Sequence, residues 1–116
     1  MKKFLAVFTG SPDAMARWQQ LDETERKRRE AEGMQAWKQW VEKLGDTIVE
    51  QGNPLGKTKR ISTGGIEDIR NNLAAYTVVQ ADSYDAAARL FENHPHFTIF
   101  PGDGVEVMEC LPIPGM

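Results

Sequence analysis

Residues 81–113 read ADSYDAAARLFENHPHFTIFPGDGVEVMECLPI, and the fold follows from this stretch. Ser83 is placed to cap a helix over 84–92, with Ala87, Leu90 and Phe91 on one face. The alanines at 86–88 keep that helix slim, which suits close packing on a sheet. His94-Pro95-His96 then makes a turn, and a Pro-Gly loop leads into a strand over 105–111. Val105, Val107, Glu109 and Leu111 share one side of this strand, while Glu106, Met108 and Cys110 share the other. Pro112 and Pro114 end it. Upstream, residues 74–81 (AAYTVVQA) alternate as a strand, so the C-terminal part of the chain is one β-α-β unit.

The N-terminal part repeats the pattern. Residues 3–9 (KFLAVFT) form a strand whose run of five apolar residues suits burial on both faces. Ser11-Pro12-Asp13 opens a short helix, with Met15 and Trp18 turned inward. Asp22 and Glu25 have capping-box spacing at the head of a long helix that ends at about Leu44. Its first half is almost wholly charged and reads as a solvated face. Its second half carries Met34, Trp37, Trp40, Val41 and Leu44 on one stripe of 3.6-residue period. Gly45 suits the helix end, and residues 46–50 (DTIVE) form a short strand. Between the two units, QGNPLG is turn-rich. Residues 57–62 return as a strand or an extended arm, and 66–72 read as either a helical turn or a loop.

Two β-α-β units around one antiparallel sheet describe a ferredoxin-like βαββαβ sandwich of the α+β class. At 116 residues a single domain over 1–116 is expected. Helices on one face of such a sheet leave the other face bare, and here that face carries apolar residues. A homodimer that joins two sheet faces is the expected remedy.

Composition narrows the function classes. A formal net charge of −3 argues against nucleic acid or an anionic membrane as the main partner. No apolar run approaches a membrane span or a secretory h-region, so a soluble cytoplasmic protein is the expectation. Cys110 is the only cysteine, which excludes an intrachain disulfide. In a strand it reads as a buried structural thiol. GxGxxG and P-loop patterns are absent, as are HExxH and CxxC, so no nucleotide, metal or other cofactor is expected.

Four segments are similar to the YCII-related family: FLAVFTG at 4–10, GNPLGKTKRIS at 52–62, YTVVQADSYDAAARLFENHPHF at 76–97, and PGDGVEVMECLPI at 101–113. The resemblance spans nearly the whole chain and is weakest over 23–32. It implies a dimeric α/β barrel built from two ferredoxin-like units. Some members of that family are suspected enzymes because a His-Asp pair lies near strand 1 and helix 1. This chain has Ser11, Asp13 and Asp22 there, and no histidine before His94.

His94 and His96 are the candidate chemical residues. An extended backbone around Pro95 would turn both to one side. They read as a structural turn, as ligand-contacting or acid/base groups, or, with Asp82 or Asp103, as part of a metal site. His96 is the better acid/base candidate because it stands farther from the helix end. Trp37, Trp40 and Tyr76, with Phe8, are expected to cover the sheet or to line a cleft between helix and sheet. Arg60 is a candidate anion clamp, and Asp46 a second acid, if both reach that cleft. Otherwise the Lys57, Lys59 and Arg60 cluster is an edge-strand device against aggregation. Two functions follow: a binding protein for a small organic ligand, or a cofactor-independent enzyme that uses His96. An RNA-binding sheet is the weakest reading, because the sheet face is expected to be covered.

Overall fold

The computed structural model describes residues 1–116. Strand β1 (Lys2–Thr9) is followed by α1 (Pro12–Gln19) and the long α2 (Glu23–Leu44). After one 3-10 turn come β2 (Ile48–Glu50), β3 (Thr58–Ser62), β4 (Gly65–Ile69) and β5 (Leu73–Ala81). The chain closes with α3 (Tyr84–Arg89), α4 (Pro95–Thr98) and β6 (Gly104–Glu109).

The main sheet has the order β2-β5-β1-β6, and each neighbouring pair is antiparallel. β5 lies between β1 and β2, and β1 lies between β5 and β6. Both β-α-β units are therefore split, which is ferredoxin-like topology. The sheet is open and not a closed barrel. The two outer capping predictions hold in detail: Ser11 Oγ accepts from Ala14 N at 3.3 Å and Asp22 Oδ1 from Glu25 N at 2.7 Å. Ser83 caps α3 in the same way, over 3.1 Å.

Strand alternation sorts the side chains. Phe4, Ala6, Phe8, Val79 and Ala81 face the helices, where they pack with Ala87 and Phe91 as the buried core. Trp37, Trp40, Ile48 and Leu90 close over it. The register pairs Leu5 with Val78 and Met108, and Val7 with Tyr76 and Glu106, on the opposite face. No element covers that face. β1 is thus buried on its helix side and half-buried on the other.

Four sequence expectations are corrected. Residues 65–69 are a strand, not a helical turn or loop. β3 and β4 form a separate hairpin with Lys59 paired to Asp68 at 2.7 Å and Arg60 to Glu67 at 2.8 Å. The basic run and the acid pair stand at equal distances from the Thr63-Gly64 turn, and that symmetry is the signal for the hairpin. α3 stops at Arg89 and loosens into turns up to the His-Pro-His segment. Cys110 is exposed, because alternation sends it with Met108 to the uncovered face. On α1, Ala14 is buried and Met15 is exposed.

The molecule measures 54 × 43 × 19 Å, with a radius of gyration of 16.2 Å. A compact domain of this length has roughly 13 Å. The chain is one sheet with one helix layer and a hairpin that shares no hydrogen-bonded strand with it. No helix is long and apolar enough to cross a membrane.

Candidate functional site

The His-Pro-His segment is a helix start. Pro95 occupies the first turn of α4, and His94 is its N-cap at φ −62°, ψ 141°. Proline at that position forfeits no helical hydrogen bond, and the residue before it is held extended. The His94 ring does the work usually done by Ser or Asp: Nδ1 accepts from the His96 backbone N–H at 3.0 Å. Both rings nonetheless lie on the side of Phe8 and Trp37, with His94 the closer of the two to Trp37.

His94 turns into the core and is fully buried. With Nδ1 accepting, the proton of the neutral ring sits on Nε2, which has no hydrogen-bond partner. The ring packs against Trp37 at 4.4 Å and Trp40 at 4.5 Å, both near edge-on, with Phe8 at 5.0 Å. Burial, and secondarily the neighbouring His96, depress its pKa to about 4. His94 is a neutral core residue at physiological pH.

His96 also packs beside Phe8, at 5.2 Å, and reaches the end of β1. Its Nε2 lies 2.7 Å from the Thr9 carbonyl oxygen. A carbonyl can only accept, so Nε2 carries the proton and Nδ1 is left with a lone pair. The same carbonyl accepts from Asp103 N at 2.9 Å, and Gly102 N donates to the His96 carbonyl at 2.9 Å. Gly102 allows this approach: a Cβ there would strike the imidazole and the His96 carbonyl. Burial lowers the His96 pKa, while the Thr9 carbonyl and the Asp103 charge oppose the shift. Asp103 in turn accepts from Ser11 Oγ at 3.1 Å. A histidine, an aspartate and a serine thus gather where β1, α1, α4 and β6 meet.

Two open cavities share His96. One, of about 370 Å³, lies between α2 and the residue 51–54 loop and includes Met34, Trp37, Thr77 and Phe100 in its lining. The other, of about 560 Å³, lies by the start of α1 and includes Ser11, Met15, Arg70, Asn71 and Asn72. Ala74, His96 and Phe100 border both. Phe100 is held over α2 by Gly33, whose missing side chain leaves room for the ring.

The residues singled out from sequence separate in space. Trp37 and His96 line the smaller cavity. Tyr76 borders it too, but alternation puts its ring on the uncovered sheet face, where its hydroxyl donates to Glu50 at 2.6 Å. That bond raises the Tyr76 pKa. Trp40 lies beside the core, with its indole N–H donating to the Leu90 carbonyl at 2.8 Å. Arg60 is spent on Glu67 in the hairpin. Asp46 is exposed beside β2, its carbonyl accepting from Gln80 at 2.9 Å. Neither Arg60 nor Asp46 lines a cavity that holds His96. Sequence reasoning missed Arg70 and Phe100, and gave Ser11 only a capping role. Their shared signal is long-range: the Gly10 N–H donates to the Asn72 carbonyl at 2.9 Å, which draws the β4–β5 link to the end of β1.

No family model matches the chain, and no curated protein matches it. Among solved structures it is similar to 5-chloro-2-hydroxyhydroquinone dehydrochlorinase (TftG) from Burkholderia phenoliruptrix AC1100, in complex with 2,5-dihydroxybenzoquinone. The match has a TM-score of 0.55 and 17% identity, and covers 94% of this chain and 93% of that one. At that identity the likeness establishes the fold: a mixed α+β chain with an antiparallel sheet.

Proposed function

We propose that this chain binds a small organic molecule in the cleft that converges on His96, and that it does so as a homodimer of the YCII-related type. One observation carries the ligand reading. The titratable residue common to both cavities is a buried histidine fixed through Nε2, with its other ring nitrogen unpartnered in the protein. Pockets with an apolar wall and a few fixed polar groups are the usual form of small-molecule sites. The structural neighbour, an enzyme captured with a small cyclic compound, supports the same class of ligand.

A second reading is favoured by the state of that ring. His96 is held as a neutral base with a defined tautomer, and Asp103 stands near enough to stabilise its protonated form. A bound molecule with an acidic proton facing Nδ1 would lose it to His96, with no cofactor needed. Ligand binding is tested by NMR titration with a panel of single-ring compounds that includes 2,5-dihydroxybenzoquinone. Binders should shift the Trp37 and His96 signals, and His96→Gln should weaken them. A panel that shifts neither residue overturns the proposal. Turnover of a binder by the wild type, absent in His96→Gln, would establish the second reading.

A further inference from the structure

The two cavities that meet at His96 differ in electrical character. The smaller one has Trp37 and Phe100 in its lining and no charged side chain. The larger one has one arginine or lysine and no carboxylate in its lining: Arg70, which also borders the groove along the hairpin. Ser11, Asn71 and Asn72 make the rest of that lobe polar.

Arg70 is available for a ligand because the hairpin has no acid left for it. β3 and its approach carry Lys57, Lys59 and Arg60, and β4 supplies only Glu67 and Asp68. Those two acids hold Arg60 and Lys59, and Arg70, one residue past β4, has no ion-pair partner. Its backbone is well fixed. Asn71 Nδ2 donates to Thr58 Oγ1 at 3.1 Å, and Asn71 Oδ1 accepts from Leu73 N at 3.0 Å. The next carbonyl, that of Asn72, is tied to Gly10. A cation on an anchored segment at the edge of a cleft, with an uncharged aromatic wall beyond, selects a ligand by charge at one end and by ring at the other.

We infer that the cleft takes a single-ring organic anion, with its ring against Trp37 and Phe100 and its carboxylate, or equivalent charged oxygen, toward Arg70. This rests on the His96 cleft being the ligand site. The ring lobe, at about 370 Å³, is near the lower end of small-molecule pocket volumes. Arg70 is then the specificity-determining residue, and its fork geometry favours a planar oxyanion over a neutral group.

The test is a matched-pair NMR titration of the full chain with single-ring carboxylates and their carboxamides, at low salt and pH 7.5. Carboxylates should bind about tenfold more tightly than their amide partners. Arg70→Gln should erase that preference, weakening carboxylate binding far more than amide binding. Arg70→Lys should restore part of it, and Lys43→Gln, which removes the same charge from the exposed end of α2, should leave it intact. Equal affinities within each pair, or a preference that survives Arg70→Gln, overturns the role of Arg70 while leaving the cleft as the ligand site. A panel in which no ring compound shifts Trp37 or His96 overturns both.

Discussion

The backbone N–H of His96 donates to Nδ1 of His94 over 3.0 Å, so the histidine that faces the cleft is aligned by the one that faces the core. This bond requires His94 to stay neutral, since a protonated imidazole has no acceptor. The pKa of His94, depressed to about 4 by burial and by His96, matches that demand. In the unfolded chain the ring titrates near 6.5. Above that value both states are neutral and the ring adds no pH dependence. As pH falls from 6.5 toward 4, the unfolded state takes up a proton that the folded state refuses, and stability drops by up to ~3 kcal/mol. The lowered pKa of His96 adds in the same direction. Urea unfolding at pH 7.5, 6.5, 5.5 and 4.8 should show this decline. His94→Asn, which keeps a capping acceptor, should be less stable at pH 7.5 but have a flatter profile. Parallel profiles for the two proteins would refute the account.

Trp37 and Trp40 lie on the same stripe of α2, yet they are predicted to fail differently. Trp40→Phe loses the bond to the Leu90 carbonyl and part of the packing on Phe91. Its cost should be about 1–3 kcal/mol, from the stranded carbonyl and the lost volume. Ligand affinity should be unchanged. Trp37→Phe should instead weaken a bound ring compound and remove the fluorescence response to it. Paired denaturation and binding curves for the two variants test the division. Equal binding losses would place Trp40 in the cleft.

This division marks how far the sequence could be read. Its periodicity gave the stripe, the caps and the two β-α-β units, because these depend on residues near one another in the chain. It also singled out His96, which the structure places at the border of two cavities. It could not separate two tryptophans three residues apart on one helix, since their difference lies in what packs above them: the turns after α3 over Trp40, and Phe100 over the Trp37 side. The His-Pro-His geometry was hidden for a similar reason. Pro95 is compatible with an extended chain and with a helix start, and only the imidazole cap decides for the helix. The absence of a histidine near strand 1 in sequence was likewise misleading. His96 reaches the end of β1 through space, with Asp103 and Ser11 beside it.

Gly33 and Phe100 provide a prediction with a sign change. A Cβ at position 33 would stand 2.5 Å from the Phe100 ring, so the ring must move. Ala is the better helix former by up to about 1 kcal/mol, but overpacking costs typically about 1–3 kcal/mol. Gly33→Ala should therefore be net destabilising. It should also reshape the wall that both cavities share. In a Phe100→Ala background the clash is gone, and the same substitution should stabilise by a few tenths to about 1 kcal/mol. A double-mutant cycle of thermal or urea unfolding measures this. Destabilisation of equal size in both backgrounds would show that the ring is not what Gly33 accommodates.

The uncovered sheet face supplies the test of self-association. Leu5, Val78 and Met108 are neighbours there, and Met108 is 42% exposed. The radius of gyration of 16.2 Å describes a flat, two-layer chain with only one side of its sheet covered. A second copy placed face to face would bury these residues with their own equivalents, as a two-fold interface requires. The wild type should therefore have the mass of a dimer at micromolar concentration by light scattering. Val78→Glu would bring two like charges into that interface without a partner, and should shift the population to monomer. Its far-UV circular dichroism should be retained, because Val78 is not part of the helix-side core. A monomeric wild type, or a Val78→Glu variant that stays fully dimeric, would show that this face is not the dimer interface.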